Sequence, residues 1–157
     1  MKKFAYFDTY WGKDWPDAEW LKPYFLNPPG RQWFQTGGND IANLAIEGVE
    51  GTEKLEANRG RIDVKLSLWG NAELGVLLIY SKWGGGYRQT YSSRGDLTRL
   101  RELVRSLHDT PLPVGLFIPF ENAWRAVKEF METDGALPKS IEWIANSDLH
   151  PNTFPDP

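Results

Sequence analysis

Carboxylates are the side chains in this sequence with the most chemistry to offer. Asp8, Asp14, Asp17 and Glu19 lie in the N-terminal part, and Glu47, Glu50, Glu53 and Glu56 follow. Two such acids facing each other across a cleft would support glycoside hydrolysis. Linear spacing does not bring any two of them together, and exposed acids are ordinarily solvated. A small carboxylate-dependent hydrolase therefore stands only as an alternative reading. The two histidines, His108 and His150, have no second histidine three or four residues away. Asp148 and His150 offer two ligands where a metal site needs three or four. "KWGGGY" (Lys82 to Tyr87) has the glycines of a phosphate loop, but a strand rather than a helix N-terminus follows it, which makes it a hairpin tip. Arg94, Gly95 and Asp96 spell an adhesion tripeptide, yet glycine and aspartate there also suit a helix cap. The chain has no cysteine, which removes disulfides, zinc–thiolate sites and thiol catalysis together. No catalytic residue, metal ligand or cofactor is assigned.

Composition narrows the remaining classes. A chain of 157 residues, 41% hydrophobic and 25% charged, has the size and balance of one soluble domain. No apolar run approaches the roughly 20 residues of a membrane helix. The start "MKKFAYFDTYWGKDW" lacks the apolar core of a secretion signal, so a cytoplasmic location is expected. A net charge of −3 argues against non-specific nucleic-acid binding, which relies on a basic surface. Eight tryptophans, by contrast, exceed what a modest core needs. Exposed Trp and Tyr are preferred anchors of protein interfaces. Trp11, Trp15 and Trp20, interleaved with the N-terminal acids, suggest a contact surface. A carbohydrate-binding module would also use stacked Trp beside carboxylates and is a further alternative.

The elements that must carry these residues follow from periodicity. "FAYFDTYW" reads as extended and "PDAEWLKPYF" as a short helical turn opening at Pro16. Between 36 and 62, Gly48 and Gly51 favour strand pairing over a helix. "DVKLSLW" alternates with Val64, Leu66 and Leu68 on one face. "GNAE" turns into the buried strand "LGVLLIYSKW", and "YRQTYSS" returns after the glycine tip, which completes an antiparallel meander. Leu97, Leu100, Leu103, Val104 and Leu107 predict a helix over 96–108 with Asp96 as its cap. "VGLFI" predicts a short strand. The spacing of Phe120, Ala123, Val127, Phe130 and Met131 predicts a helix beginning near Pro119 and stopped by Gly135 and Pro138. Ile141 and Trp143 alternate in a last strand. The expected fold is α+β: one domain over 1–146, an antiparallel meander sheet with two or three helices packed on it, and a loose proline-rich tail over 147–157.

This order of features resembles immunity protein family one, bacterial antidotes to secreted polymorphic toxins. The resemblance rests on "SSRGDL" (Ser92 to Leu97) and on the run of Ile118, Pro119, Ala123, Val127, Phe130, Gly135, Leu137, Pro138 and Trp143, about the second half of the chain. It implies a non-enzymatic antitoxin that binds one toxin domain and covers its active site or substrate path. Toxins met by such families are often deaminase-like or other nucleic-acid- or nucleotide-modifying enzymes. On that reading the partner-binding candidates are Asp8, Trp11, Asp14, Trp15, Asp17 and Glu19, with Trp83, Tyr87 and Tyr91 near the glycine hairpin. A face shared by Tyr87, Gln89 and Tyr91 would leave Arg88 and Thr90 on the other, and the two tyrosines fit either a presented or a buried face.

Overall fold

The computed structural model describes residues 1–7, 10–26 and 41–156. The meander expected from alternation is its centre. β3 (Ile41–Glu47), β4 (Asp63–Asn71), β5 (Gly75–Gly84) and β6 (Tyr87–Ser93) pair antiparallel in chain order. β1 (Lys2–Phe7) adds outside β3 and turns into β2 (Tyr10–Gly12) at the edge, so "FAYFDTYW" is a hairpin rather than one strand. β10 (Trp143–Ala145) adds outside β6, two residues later than the alternation of Ile141 and Trp143 suggests. A short β9 (Phe117–Ile118) pairs with the start of β5. The sheet order is β10-β6-β5-β4-β3-β1-β2.

Period-two alternation gives this sheet two different faces. Ala42, Leu44 and Ile46 of β3, Val64, Leu66 and Leu68 of β4, and Val76, Leu78 and Tyr80 of β5 are all buried on one of them. α1 (Ala18–Leu26) and α2 (Phe120–Glu132) cover that face. α1 begins two residues beyond Pro16 and runs through Pro23. In α2, Trp124 and Ala126 join the expected stripe of Phe120, Ala123, Val127 and Phe130, because Trp124 meets Phe25 of α1 at 5.4 Å between rings. Val127 and Phe130, fully buried, each contribute about 1.5–3 kcal/mol. The stop of α2 is left-handed at Gly135, φ 93, as expected, and already at Asp134, φ 51, and the Gly135 amide reaches back to the Phe130 carbonyl. Gly135 then lies against Val64 and Ile46, where a Cβ would come within 2.6 Å of Val64.

The helix expected over 96–108 does not form. Asp96 does cap, accepting from the Thr98 amide at 3.0 Å and its hydroxyl at 2.6 Å, but only one 3-10 turn, Leu97–Arg99, follows. The chain then extends as β7 (Leu103–Arg105), paired with β8 (Pro111–Pro113) in a separate hairpin. The stripe splits: Leu97, Leu100 and Val104 pack inward, whereas Leu103 and Leu107 are exposed. The inward set joins Leu112, Leu116 and Phe117 over Leu77, Ile79 and Trp69, on the sheet face opposite the helices. Leu149 and Phe154 of the C-terminal segment pack on the same cluster, and Thr153 is buried. "VGLFI" likewise divides into a 3-10 turn, Val114–Leu116, followed by β9.

This second layer is held by a close backbone crossing. A Cβ on Gly95 would sit 2.3 Å from the Phe117 carbonyl oxygen, and one on Gly115 would sit 2.4 Å from that of Asp96. Gly95→Ala and Gly115→Ala should each destabilise the fold by about 1–3 kcal/mol in denaturant titration. Wild-type stability in either variant would show that the crossing is loose. On the helix side, the Tyr80 hydroxyl donates to the Gly135 carbonyl at 2.7 Å, and burial pushes its pKa from 10.0 up to about 12. The neutral phenol is therefore favoured in the fold, and its contribution is complete below the unfolded value of 10.0. As pH rises towards about 12, the unfolded state ionises first and stability falls. Tyr80→Phe should be less stable by about 1 kcal/mol below pH 10. The gap to wild type should narrow above that, and a gap unchanged by pH would contradict the assignment.

Candidate partner-binding surface

Of the nine residues singled out by type, the eight that are described do not form one patch. Asp8 lies outside the described residues. Trp11 pairs with Tyr6 across the β1–β2 hairpin, on the face away from the helices, and is 83% exposed. Asp14 is exposed and folds the following loop, its carboxylate accepting from the Trp15 amide at 2.8 Å while its carbonyl accepts from the Tyr10 hydroxyl at 3.0 Å. Trp15 is an internal brace. Its indole N–H donates to the carbonyls of Phe4 (3.1 Å) and Ala45 (3.2 Å), its ring lies 5.4 Å from that of Phe130, and Lys3 caps it at 4.5 Å. Asp17 and Glu19 are exposed at the start of α1, where negative charge suits the helix dipole. Trp20 is 41% exposed and tilts between Tyr10 and Tyr24 on the helix side.

The hairpin residues divide in the same way. Tyr87, Gln89 and Tyr91 share the helix-side face, as the pairing of Tyr80 with Tyr91 requires. Tyr87 is 45% exposed, but Tyr91 packs on the core, 6.5 Å from Tyr80 between rings. Trp83 points to the other face, half-buried under the Arg88 guanidinium at 5.7 Å.

The helix-free face can be read row by row from the strand register. Trp11, Tyr6, Asn43, Ser67 and Ile79 lie across from one another on β2, β1, β3, β4 and β5. Phe4, Ala45, Lys65, Ser81 and Thr90 form the next row, and Lys2, Glu47, Asp63, Trp83 and Arg88 the third. The second hydrophobic cluster covers this face only around Trp69, Leu77 and Ile79. Beyond it lie half-buried Asn43 and Ala45 and buried Ser67 and Ser81, with the exposed Lys65 standing between Ala45 and Ser81. Trp11, Tyr6 and Phe4 wall one side and Trp83 the other. β2 and β5 are four strand spacings apart, about 19 Å. A groove of about 400 Å³ runs beside Trp11 between Phe4, Tyr6, Lys13 and Asn43. Sequence reasoning missed Phe4, Tyr6 and Asn43, although the alternation of Phe4 and Tyr6 with Ala5 and Phe7 already placed them on one face.

The charges around these residues are mixed rather than acidic. Lys13 and Lys22 interleave with Asp14, Asp17 and Glu19, and Lys2 and Lys3 flank a second groove of about 500 Å³ with Lys13 and Asp14. Among the described residues, the acids that border one cavity are each paired with a lysine. Glu50 and Asp134 border a cavity of about 330 Å³ above Tyr80, but Lys82 holds the first and Lys3 the second, at 2.9 Å. Buried Asp63 is forked by Arg61 at 2.9 and 3.0 Å and also accepts the Gly48 amide. That fork raises the Arg61 pKa. The Thr98 hydroxyl and amide hold Asp96 below its usual value, and Arg99 does the same for Glu102. His150 uses Nδ1 to accept the Asn152 amide, within its own turn. Among the described residues, no three His, Asp or Glu side chains cluster as metal ligands, and no helix is long and apolar enough to cross a membrane.

No curated protein and no solved structure matches the chain. The family model described as Immunity protein Imm1 matches residues 26–145, well over half of the sequence. That span runs from the end of α1 through β10, and so takes in the meander, α2 and the second layer apart from the C-terminal segment. β1, β2 and the body of α1, with Trp11, lie outside it. With the meander and α2 carried by the matched residues, the chain belongs to the Imm1 family of immunity proteins.

Proposed function

We propose that this protein is an antitoxin that binds one toxin domain through the helix-free face of its sheet and blocks that toxin's active site or substrate path. The membership of residues 26–145 in the Imm1 family carries this reading. The surface fits the task in physical terms. A preformed sheet pays little ordering cost on binding, and the exposed Trp11 is an anchor of the kind that dominates interface energetics. No covalent step is needed, since a standard interface of about 1,600 Å² is enough to exclude substrate. We assign the toxin to the nucleic-acid- or nucleotide-modifying enzymes, such as a deaminase, neutralised in the cytoplasm. The net charge of −3 supports this, because an enzyme that handles nucleic acid presents a basic surface. Trp11 and Trp83 would act in contact.

Co-expression of the toxin reading frame next to this gene, in a sensitive strain, should be lethal alone and tolerated with this protein present. Continued killing, with no co-purification of the two chains, would reject the reading for that toxin. Within the complex, Trp11→Ala should weaken binding about tenfold or more with the unfolding midpoint unchanged. Trp15→Ala should behave in the opposite sense, costing about 3 kcal/mol of stability through the lost brace. If Trp15→Ala proved as stable as wild type while toxin binding fell, Trp15 would be a contact residue after all.

A further inference from the structure

β6 is longer than the strand beside it. β10 pairs only with Tyr91, Ser92 and Ser93, so residues 87–90 have β5 on one side and, among the described residues, no strand on the other. The two-residue turn Gly85–Gly86 makes Gly84 and Tyr87 the closing pair of the hairpin. Antiparallel alternation then sends the backbone groups of Tyr87, Gln89 and Tyr91 to β5 and turns the N–H and C=O of Arg88 and Thr90 outward. Ser92, two residues further on, faces Ile144 of β10 in the same lane. The lane continues past β10 as a groove of about 410 Å³ between residues 88–91 and 145–147. It stays open because the chain leaves it at Asn146, whose side-chain oxygen accepts from the Ser92 hydroxyl at 2.7 Å. Open edges are commonly blunted by a proline or a bulge, and residues 87–90 have neither.

We infer that the outer edge of β6 at residues 87–90 is a strand-addition site, which takes one extended segment of the toxin with an acidic side chain facing Arg88. Main-chain bonds to Arg88 and Thr90 supply affinity, and the side chains of the added strand supply the choice of partner. Arg88 decides the chemistry: it is exposed, stacked on Trp83, and paired with no carboxylate among the described residues. A second copy of this edge would bring Tyr, Arg, Gln and Thr, with no acid for Arg88, so a toxin segment is the better occupant. The site adjoins the third row of the helix-free face, and the inference rests on the antitoxin reading above.

The test uses the full chain and the purified toxin domain encoded beside it. Amide hydrogen exchange on the wild-type complex should show Arg88 and Thr90 newly protected. Thr90→Pro, which removes an outward donor and no sheet bond, should weaken binding about tenfold with an unchanged unfolding midpoint. Arg88→Glu should weaken it by a similar factor, and more at low salt. Tight wild-type binding with those two amides exchanging as in the free protein, or with Arg88→Glu binding as wild type, would overturn the edge while leaving the antitoxin reading intact. Protection of the same amides in the free chain at high concentration, with a dimer on gel filtration, would assign the edge to a second copy and overturn the toxin assignment. A wild-type chain that does not bind the toxin at all would sink both.

Discussion

β5 is apolar on both faces, and the rest of the molecule is arranged to keep both out of water. Val76, Leu78 and Tyr80 need one cover, Leu77 and Ile79 another. The helices supply the first. The second is supplied by turns, a two-stranded hairpin and the C-terminal segment, crossing where Gly95 and Gly115 allow backbones to touch. That cover is smaller than the helical layer. The sheet therefore emerges from beneath it, and the exposed remainder is the rigid, aromatic-walled surface to which partner binding is assigned.

This arrangement separates two kinds of aromatic residue that composition cannot distinguish. Trp15, Trp124 and Tyr91 are held by core contacts, and Trp15 also uses its indole N–H on two carbonyls of the sheet. Trp11 faces solvent from an edge strand. The acids sort similarly. Glu50, Asp63 and Asp134 are tied to Lys82, Arg61 and Lys3, so they stabilise the fold locally and offer nothing to a substrate.

Much of the fold was legible from periodicity, and the failures share a cause. Val64, Leu66 and Leu68, and the stripe of Phe120, Ala123, Val127 and Phe130, repeat over enough residues that only one structure buries them. Leu97, Leu100 and Val104 have helical spacing too, yet they are buried by an irregular segment whose direction is set by Gly95, Gly115 and the pairing with Pro111–Pro113. Two alternate prolines conceal a strand from any propensity argument, because proline is rare where ladder donors are needed. The surface was less legible. Which face Trp11 occupies depends on its register with Tyr6, and register follows from the folded hairpin rather than from residue type.

The central claim, that binding belongs to the helix-free face, can be tested by hydroxyl-radical footprinting of the tryptophans in the toxin complex. Trp11 and Trp83 should lose oxidation when the toxin is bound, while Trp20, exposed on the helix side, should oxidise as in the free protein. Protection of Trp20 with Trp11 and Trp83 unchanged would place the partner on the helices and contradict the account.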